Sequence, residues 1–572
     1  MLNLDFLPFH LIYFKIEIIK LKIFQKIMFS RDILGERFQE TIKKEERKLL
    51  GQFYTPEEIV EYIMDRVEID INKKIIDLSC GSGRFLLKAY DCLSKIYKEK
   101  DYPEKKIHKT ILKKNLYGID INPLAVRLTE MNLILKGKEY FSGKINISEG
   151  NSLIKSNGSE ELELFKNEKL NAKDTLPSGI KIKNCQFDIV IGNPPYLSYG
   201  LKGTGKLQRE WHNYVNRNYP YSAQYKISTY ALFIERGIEI LKNGGFLGYI
   251  LPDSFLLGIY FSKLRKFILD TCKIKETVLF GKDFWKVGLV GKPVILILQK
   301  EKEKNIRENN YIKVSYYKNL KSLSKKEHIS YSYKQIYFTR IKHNRFRLFF
   351  KEKSREKVER LEKAEYRIKD VISFSSGLIG KKGKDNITSM NKVNDNWYPG
   401  LHSSSEVNKY IINYKGGYIS FEKKRLKSGF KKAKYSEPKL FLRQTGDSIK
   451  AAYDENNLLC LNNLHVGNLI NDRFDILYIL AILNSRLINE YYNLISLETG
   501  RVLAQLDIET IEDIPIEYTK EENQKVIAEF VREIIELKNE LLKHDNPKTR
   551  EKIVTIENNI EKKIAEIYGF EK

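Results

Sequence analysis

The stretch Ile75-Ile76-Asp77-Leu78-Ser79-Cys80-Gly81-Ser82-Gly83-Arg84-Phe85 decides the fold class. A short apolar run ends in an acid, a Gly-x-Gly turn follows, and a helical pattern begins. Glycine tolerates the positive φ of such a turn and lets a ligand approach the backbone, with a helix N-terminus behind it. A second apolar run begins at Leu116 and ends in Gly118-Ile119-Asp120-Ile121. An acid at the end of the second strand is placed to accept the ribose hydroxyls of an adenosine-containing cofactor. Gly83 and Asp120 lie 37 residues apart, against about 20 in a dinucleotide-binding unit, and the charged insert 97–114 takes up the excess. No third glycine completes GxGxxG and no GxxxxGK[ST] occurs, so NAD and ATP readings lose ground.

Outward from this stretch, residues 51–300 alternate strand and helix patterns, the signature of an α/β parallel sheet. Strands are expected at 74–78, 116–119, 187–191 and 246–251, with 277–280 and 293–299 forming a hairpin at one sheet edge. Helices are expected at 57–67, 123–135 and 230–241. The charged run 300–309 reads as a linker, shorter β-like segments follow it, and 520–569 reads as helical with a break at Asn546-Pro547. The apolar stripe of that last stretch is expected at Val526, Phe530, Ile534, Leu537 and Leu541.

The chemistry concentrates in Asn193-Pro194-Pro195-Tyr196, directly after the apolar run 187–191. Two prolines fix φ and remove two N–H donors, so the turn presents rigid carbonyls. The Asn193 side-chain oxygen and the Pro194 carbonyl can accept both hydrogens of a planar exocyclic amine. Such bonds favour the pyramidal nitrogen of the transition state. Tyr196 offers an aromatic face for stacking. A Pro-Pro turn with a core tyrosine is the bland alternative, and the position downstream of a glycine turn and an acid weighs against it.

Composition bounds the rest. The 572 residues carry 100 Lys+Arg against 74 Asp+Glu, a net charge of +26. This surplus favours a polyanionic partner, with a Lys/Ile/Asn-rich codon bias as the competing source. Five scattered cysteines without a CxxC pair exclude a disulfide framework and a zinc site, and fit a reducing cytoplasm. The greasy start 2–19 is interrupted by Asp5, Lys15 and Glu17 and reads as neither a membrane span nor a signal peptide. Residues 1–27, ahead of Met28, could be an upstream start-codon extension.

On these motifs and their order the sequence resembles the gamma-class DNA adenine-N6 methyltransferases of restriction-modification systems, those with a TaqI-like C-terminal specificity domain. Gly51-Gln52-Phe53-Tyr54-Thr55-Pro56 resembles the family's N-terminal cofactor motif, and Asn193-Pro194-Pro195-Tyr196 matches its catalytic motif letter for letter. The resemblance implies a Rossmann-like class I domain with a mostly parallel seven-stranded sheet and an antiparallel edge hairpin. An α+β target-recognition domain and C-terminal helices then follow. The expected division is 1–45 extension, 46–300 catalytic domain, 310–520 recognition domain and 521–572 helical segment.

The resemblance also assigns residues. S-adenosylmethionine would be held by Tyr54, Thr55, Pro56, Asp77, Ser79, Cys80, Gly81, Gly83, Asp120, Ile121, Asn151, Ser152 and Asn193. Asn193, Pro194, Pro195 and Tyr196 are the implied catalytic residues, and Phe284 (Trp285 as alternative) the second aromatic sandwiching a flipped adenine against Tyr196. Two departures stand out. Asn151 replaces the family's usual acid, and Leu78 replaces a common proline. In the C-terminal half, residues 439–447, 451–454 and 462–465 resemble the central strands of a TaqI-like domain, and 477–491 its following helix. Lys423, Lys424, Arg425, Lys431 and Lys432 suit phosphate contact, and Arg443 and Gln444 suit bidentate base contact.

The implied activity is methyl transfer to adenine N6 in double-stranded DNA, with the base rotated out of the duplex and no metal required. A cytoplasmic monomer is expected, paired with a separate cognate restriction endonuclease. Competing readings are glutamine methylation or RNA adenine methylation through the same cradle, and a non-catalytic DNA-binding protein. Cytosine-C5 chemistry is excluded, because the chain has no Pro-Cys pair.

Overall fold

The computed structural model describes residues 55–137, 141, 143–155, 180, 182–199, 209–224, 227–281, 292–348, 352–429, 435–446, 448–496, 506 and 508–570. Tyr54, Phe284, Trp285, Lys431, Lys432 and the expected 1–45 extension lie outside them. The chain divides into two compact units, one ending at Phe346 and the other starting at Arg347.

The first unit is built on one sheet. Its strands are β1 (Ile75–Asp77), β2 (Leu116–Asp120), β3 (Ile147–Glu149), β4 (Phe187–Gly192), β5 (Leu241–Pro252), β6 (Cys272–Phe280), β7 (Pro293–Lys300), β8 (Tyr311–Tyr317) and β9 (Ile329–Lys334). Their order is β9-β8-β6-β7-β5-β4-β1-β2-β3. Strands β1–β5 pair in parallel; β7 is antiparallel to both β5 and β6. The mostly parallel sheet with an antiparallel hairpin is therefore present, but it has nine strands rather than seven. β8 adds in parallel beside β6 and β9 closes the edge antiparallel to β8. The β6–β7 hairpin consequently lies inside the sheet.

This also corrects the boundary reading. The charged run at 300–309 contains a short helix, Lys304–Glu308, with Arg307 8% exposed and its guanidinium donating to the carbonyls of Leu269, Glu301 and Lys302. An arginine spent on three carbonyls fastens this run to the sheet, so residues 311–334 belong to the first unit.

Why β4 sits in the middle follows from its side chains. Ile189 and Ile191 face a core shared with α1 (Glu57–Met64) and α2 (Arg84–Glu99). Val190 faces the other way, toward α4 (Thr229–Ile240), where Gly237 sits against Leu247 and Val190. A strand buried on both faces reads as a near-continuous apolar run, interrupted in β4 by Asp188, which pairs with Lys242; each buried apolar side chain contributes about 1.5–3 kcal/mol. Between α2 and α4 in sequence, α3 (Pro123–Leu135) returns the chain from β2, its N-terminus capped by the Asn122 side chain.

The second unit contains a four-stranded sheet. Its members are β10 (Ile372–Ser376), β11 (Lys439–Arg443), β12 (Ala451–Asp454) and β13 (Leu464–Leu469), in the order β10-β13-β11-β12 with every pairing antiparallel. The single helix expected at 477–491 is two, α5 (Ile476–Asn484) and α6 (Arg486–Ser496), because Ser485 between them takes an extended ψ of 152°. The C-terminal helices α7 (Glu521–Lys543) and α8 (Pro547–Ile567) break at the expected Asn546-Pro547, and Asn546 caps α8. Their packing phase differs from the expected one. α7 buries Gln524, Ile527, Ala528, Val531 and Ile534, while Val526 is 37% exposed. Gln524 takes a buried place because its amide bonds Asp475 N–H and Arg473 C=O in the same unit.

No helix among the described residues is long and apolar enough to cross a membrane.

Candidate active site

The carboxyl ends of β1, β2 and β4 meet where the strand order reverses, the position at which open α/β sheets hold ligands. Asp77 ends β1 and is 2% exposed; its Oδ1 accepts the Ser79 N–H at 3.0 Å. Asp120 ends β2, its Oδ2 accepting the Gly81 N–H and its Oδ1 the Asn122 N–H, each at 2.9 Å. The second acid thus holds the first glycine turn in place. Burial pushes Asp77 up to about 8, against the pull of the Ser79 N–H and with a further push from Asp120. Asp120 is also raised by burial, opposed by the N–H groups of Asn122, Gly81 and Ile121.

The glycine turn is as tight as the sequence suggests. Gly83 has φ +90°, and a Cβ there would come within 2.9 Å of Thr129 Cγ2. Thr129 on α3 in turn donates to the Gly81 carbonyl at 2.7 Å. Cys80 is buried with its N–H on Ile119 C=O at 2.9 Å, and the Ser152 hydroxyl donates to Leu78 C=O at 2.7 Å. Asn151 turns its side-chain oxygen onto the Leu153 N–H at 3.0 Å. A backbone cradle with two buried acids at its rim, and no room for a β-carbon at Gly83, fits the adenosine portion of a nucleoside cofactor.

The catalytic candidate follows β4. Gly192 has φ +149°, and a Cβ on it would lie 2.6 Å from Asp77 Oδ1. Only glycine lets the two strand ends approach so closely. Sequence reading does not single out Gly192, because a lone glycine after a strand carries no pattern of its own. Asn193 Nδ2 donates to Thr55 Oγ1 at 3.1 Å, joining the N-terminal motif to the Asn-Pro-Pro-Tyr turn. Pro56 precedes α1 as its N-cap. Tyr196 donates its hydroxyl to Ile250 C=O at 3.0 Å and meets the Tyr230 ring edge-on, 6.2 Å between centroids.

The recognition candidates fall in the second unit. Lys424 and Arg425 both pair with Glu422, at 3.0 and 3.4 Å, and Arg425 also donates to Asn386 C=O; Lys423 is exposed. Arg443 ends β11, but its guanidinium bonds Val407 C=O, Ser405 C=O and Asn408 Oδ1 (2.6 Å to the last), so it fastens the 405–408 turn. The backbone of Gln444 bonds Asn463 C=O and Leu506 N–H.

Residues 114–285 match the model of the Eco57I restriction-modification methylase, and residues 401–516 that of the TaqI-like C-terminal specificity domain. The type II restriction enzyme and methyltransferase RM.Eco57I of Escherichia coli is 32% identical over 278 residues, 43% of this chain and 27% of that protein. The adenine-specific methyltransferase PglX of Streptomyces coelicolor is 28% identical over 269 residues, 40% of this chain and 21% of that protein. The chain thus spans less than a third of either relative. Among solved structures, the type IIL restriction-modification enzyme MmeI in complex with DNA superposes with a TM-score of 0.60 at 14% identity, covering 95% of this chain and 80% of that one. The DrdV–DNA complex gives 0.54 at 14% identity, covering 88% and 59%. At such identity the likeness is one of fold. The chain is therefore similar to Eco57I-type restriction-modification methylases over residues 114–285 and to TaqI-like C-terminal specificity domains over residues 401–516.

Proposed function

We propose that this protein transfers a methyl group from S-adenosylmethionine to N6 of a target adenine in double-stranded DNA, as the modification component of a restriction-modification or related defence system. The observation that carries the reading is the hydrogen bond from Asn193 to Thr55 at the end of β4. With its amide nitrogen on Thr55, the Asn193 carbonyl oxygen points the other way, the orientation needed to accept from a base amine. Asp120 and the Gly81–Gly83 turn would hold the adenosine portion, and buried Asp77 would face its cationic end. When bound, S-adenosylmethionine supplies an electrophilic methyl on its sulfonium.

The chain's own residues do the positioning. Asn193 and Pro194 C=O take the two amine hydrogens and hold the nitrogen in line, which substitutes orientation for a bimolecular encounter. Tyr196 stacks on the base; Phe284 is proposed as its second face. No side chain need remove a proton before attack, since the amine becomes acidic only as the new bond forms. The relatives named as adenine-specific or restriction-modification methyltransferases support the adenine and DNA choice. In the second unit, Lys423, Lys424, Lys431 and Lys432 are proposed for phosphate contact, and Gln444 for base contact.

Single-molecule sequencing of DNA from cells expressing the protein tests this. N6-methyladenine at one sequence motif is expected, absent when Asn193→Ala is expressed although that variant still binds S-adenosylmethionine. Unmodified DNA with the wild-type chain, or undiminished methylation by Asn193→Ala, would refute it.

A further inference from the structure

We infer that Thr229, the first residue of α4, is a positioning residue that clamps the Asn-Pro-Pro-Tyr turn around Tyr196; the inference rests on the function proposed above. Thr229 is 8% exposed. Its hydroxyl donates to Pro195 C=O and accepts the Leu197 N–H at 3.0 Å, while its own N–H donates to Leu197 C=O at 2.9 Å. Both neighbours of Tyr196 are thereby tied to one residue. The pairing continues outward as a short antiparallel ladder, Ser198 opposite Ser228 and Tyr199 opposite Ile227.

A turn built on two prolines has a specific need for this. Pro194 and Pro195 own no N–H, so the turn cannot fasten itself through backbone donors. Its carbonyls must be held from outside, and the Thr229 hydroxyl supplies such a donor at Pro195. The next residue completes the arrangement. Tyr230 packs perpendicular to Tyr196, 84° between planes, and is itself pinned by a hydroxyl bond to Ser254 at 3.0 Å. The Tyr196 ring is therefore located by its hydroxyl on Ile250, by its backbone through Thr229, and by a T-shaped ring contact with Tyr230. The chain leaves the site at Leu197 and returns at Thr229, and the same side chain ties these two points together. A misplacement of the stacking face by about 1 Å can cost on the order of a hundredfold in rate.

Thr229→Val keeps the shape and removes the hydroxyl; Thr229→Ser keeps the hydroxyl. For Thr229→Val the expected result is a kcat lowered by about tenfold to a hundredfold, with KM for S-adenosylmethionine unchanged. Amide exchange at Leu197 should be faster, and Thr229→Ser should restore both readouts. Wild-type kcat and exchange in Thr229→Val would overturn the clamp, as would an equal loss in Thr229→Ser. The exchange arm needs no turnover. If the wild-type chain methylates no DNA yet Thr229→Val speeds exchange at Leu197, the proposed function fails and the clamp stands. If the wild type is active and Thr229→Val is indistinguishable from it, the reverse holds.

Discussion

Asp77 is a carboxyl group placed where its charge is costly, and that sets a pH dependence. Its unfolded value is near 3.8 and its folded value about 8. Between these the native state keeps a proton that the unfolded chain has lost. Its contribution to stability is thus full below about pH 4 and is lost as pH rises through about 8. A cation bound beside Asp77 reverses the preference, pulling the group down and releasing that proton. Affinity for S-adenosylmethionine should therefore rise from about pH 6 toward pH 8, by up to about tenfold per pH unit for one proton released. Calorimetry in buffers of different ionisation enthalpy measures both the slope and the proton, and Asp77→Asn should abolish them. A flat profile in the wild type would sink the assignment. At this scale Asp77, Asp120 and Asn193 were legible because an acid or amide at a strand end is rare and chemically directed. Gly192 and Thr229 were not, since a lone glycine or threonine carries no pattern until the fold brings Asp77 or Pro195 against it.

Elements were legible in proportion to how far side-chain burial alone specifies them. β4 is apolar on both faces but for Asp188, and could be little else. β8 alternates exposed and buried positions, yet the charged run before it masked its membership, because a buried arginine such as Arg307 looks from sequence like a solvated one. α7 was identified as a helix with its stripe out of phase, since Gln524 and Ala528 occupy core positions that an apolar count skips. β11 and β12 hide a similar surprise. Lys439 and Asp454 stand opposite one another, both fully buried, with 2.6 Å between charges; Asp454 also accepts the N–H groups of Asn456 and Leu458. Removing one partner strands the other, and Lys439→Met should cost about 3–5 kcal/mol. Asn removes the charge and keeps one acceptor oxygen, enough for the Asn456 or the Leu458 N–H but not both, so Lys439→Met with Asp454→Asn should recover part of that. Urea unfolding of the full chain, followed for the second unit, reads both. Equal losses in the single and double variants would show that the pair's charge is not what matters.

For the whole molecule the question is where the +26 surplus acts. Part of it is internally employed: Arg307, Arg443 and Lys439 spend their donors on backbone carbonyls or a buried acid, and such cations contribute little to a ligand outside. Others are spread over the surface as ion pairs, and an exposed pair such as Lys424 with Glu422 leaves the lysine side chain 80% accessible, a contact worth little in itself. Lys423 and Lys427 are exposed in the same segment. If the surplus reflects only codon bias, these charges are scattered and DNA affinity should respond weakly to salt. If it serves a duplex, neutralising 6–10 phosphates would lower affinity by about a thousandfold to a hundred-thousandfold between roughly 50 and 200 mM salt. The steep response is expected here. In fluorescence anisotropy with a short duplex, Lys423→Ala and Lys427→Ala should each reduce the log–log slope by about one while weakening all sequences alike. Gln444→Ala, by contrast, should leave the slope unchanged and flatten the preference among sequences, because a base contact releases no counterion. A slope near zero in the wild-type protein, or one that Lys423→Ala leaves intact, would return the surplus to composition and move the phosphate contacts elsewhere in the chain.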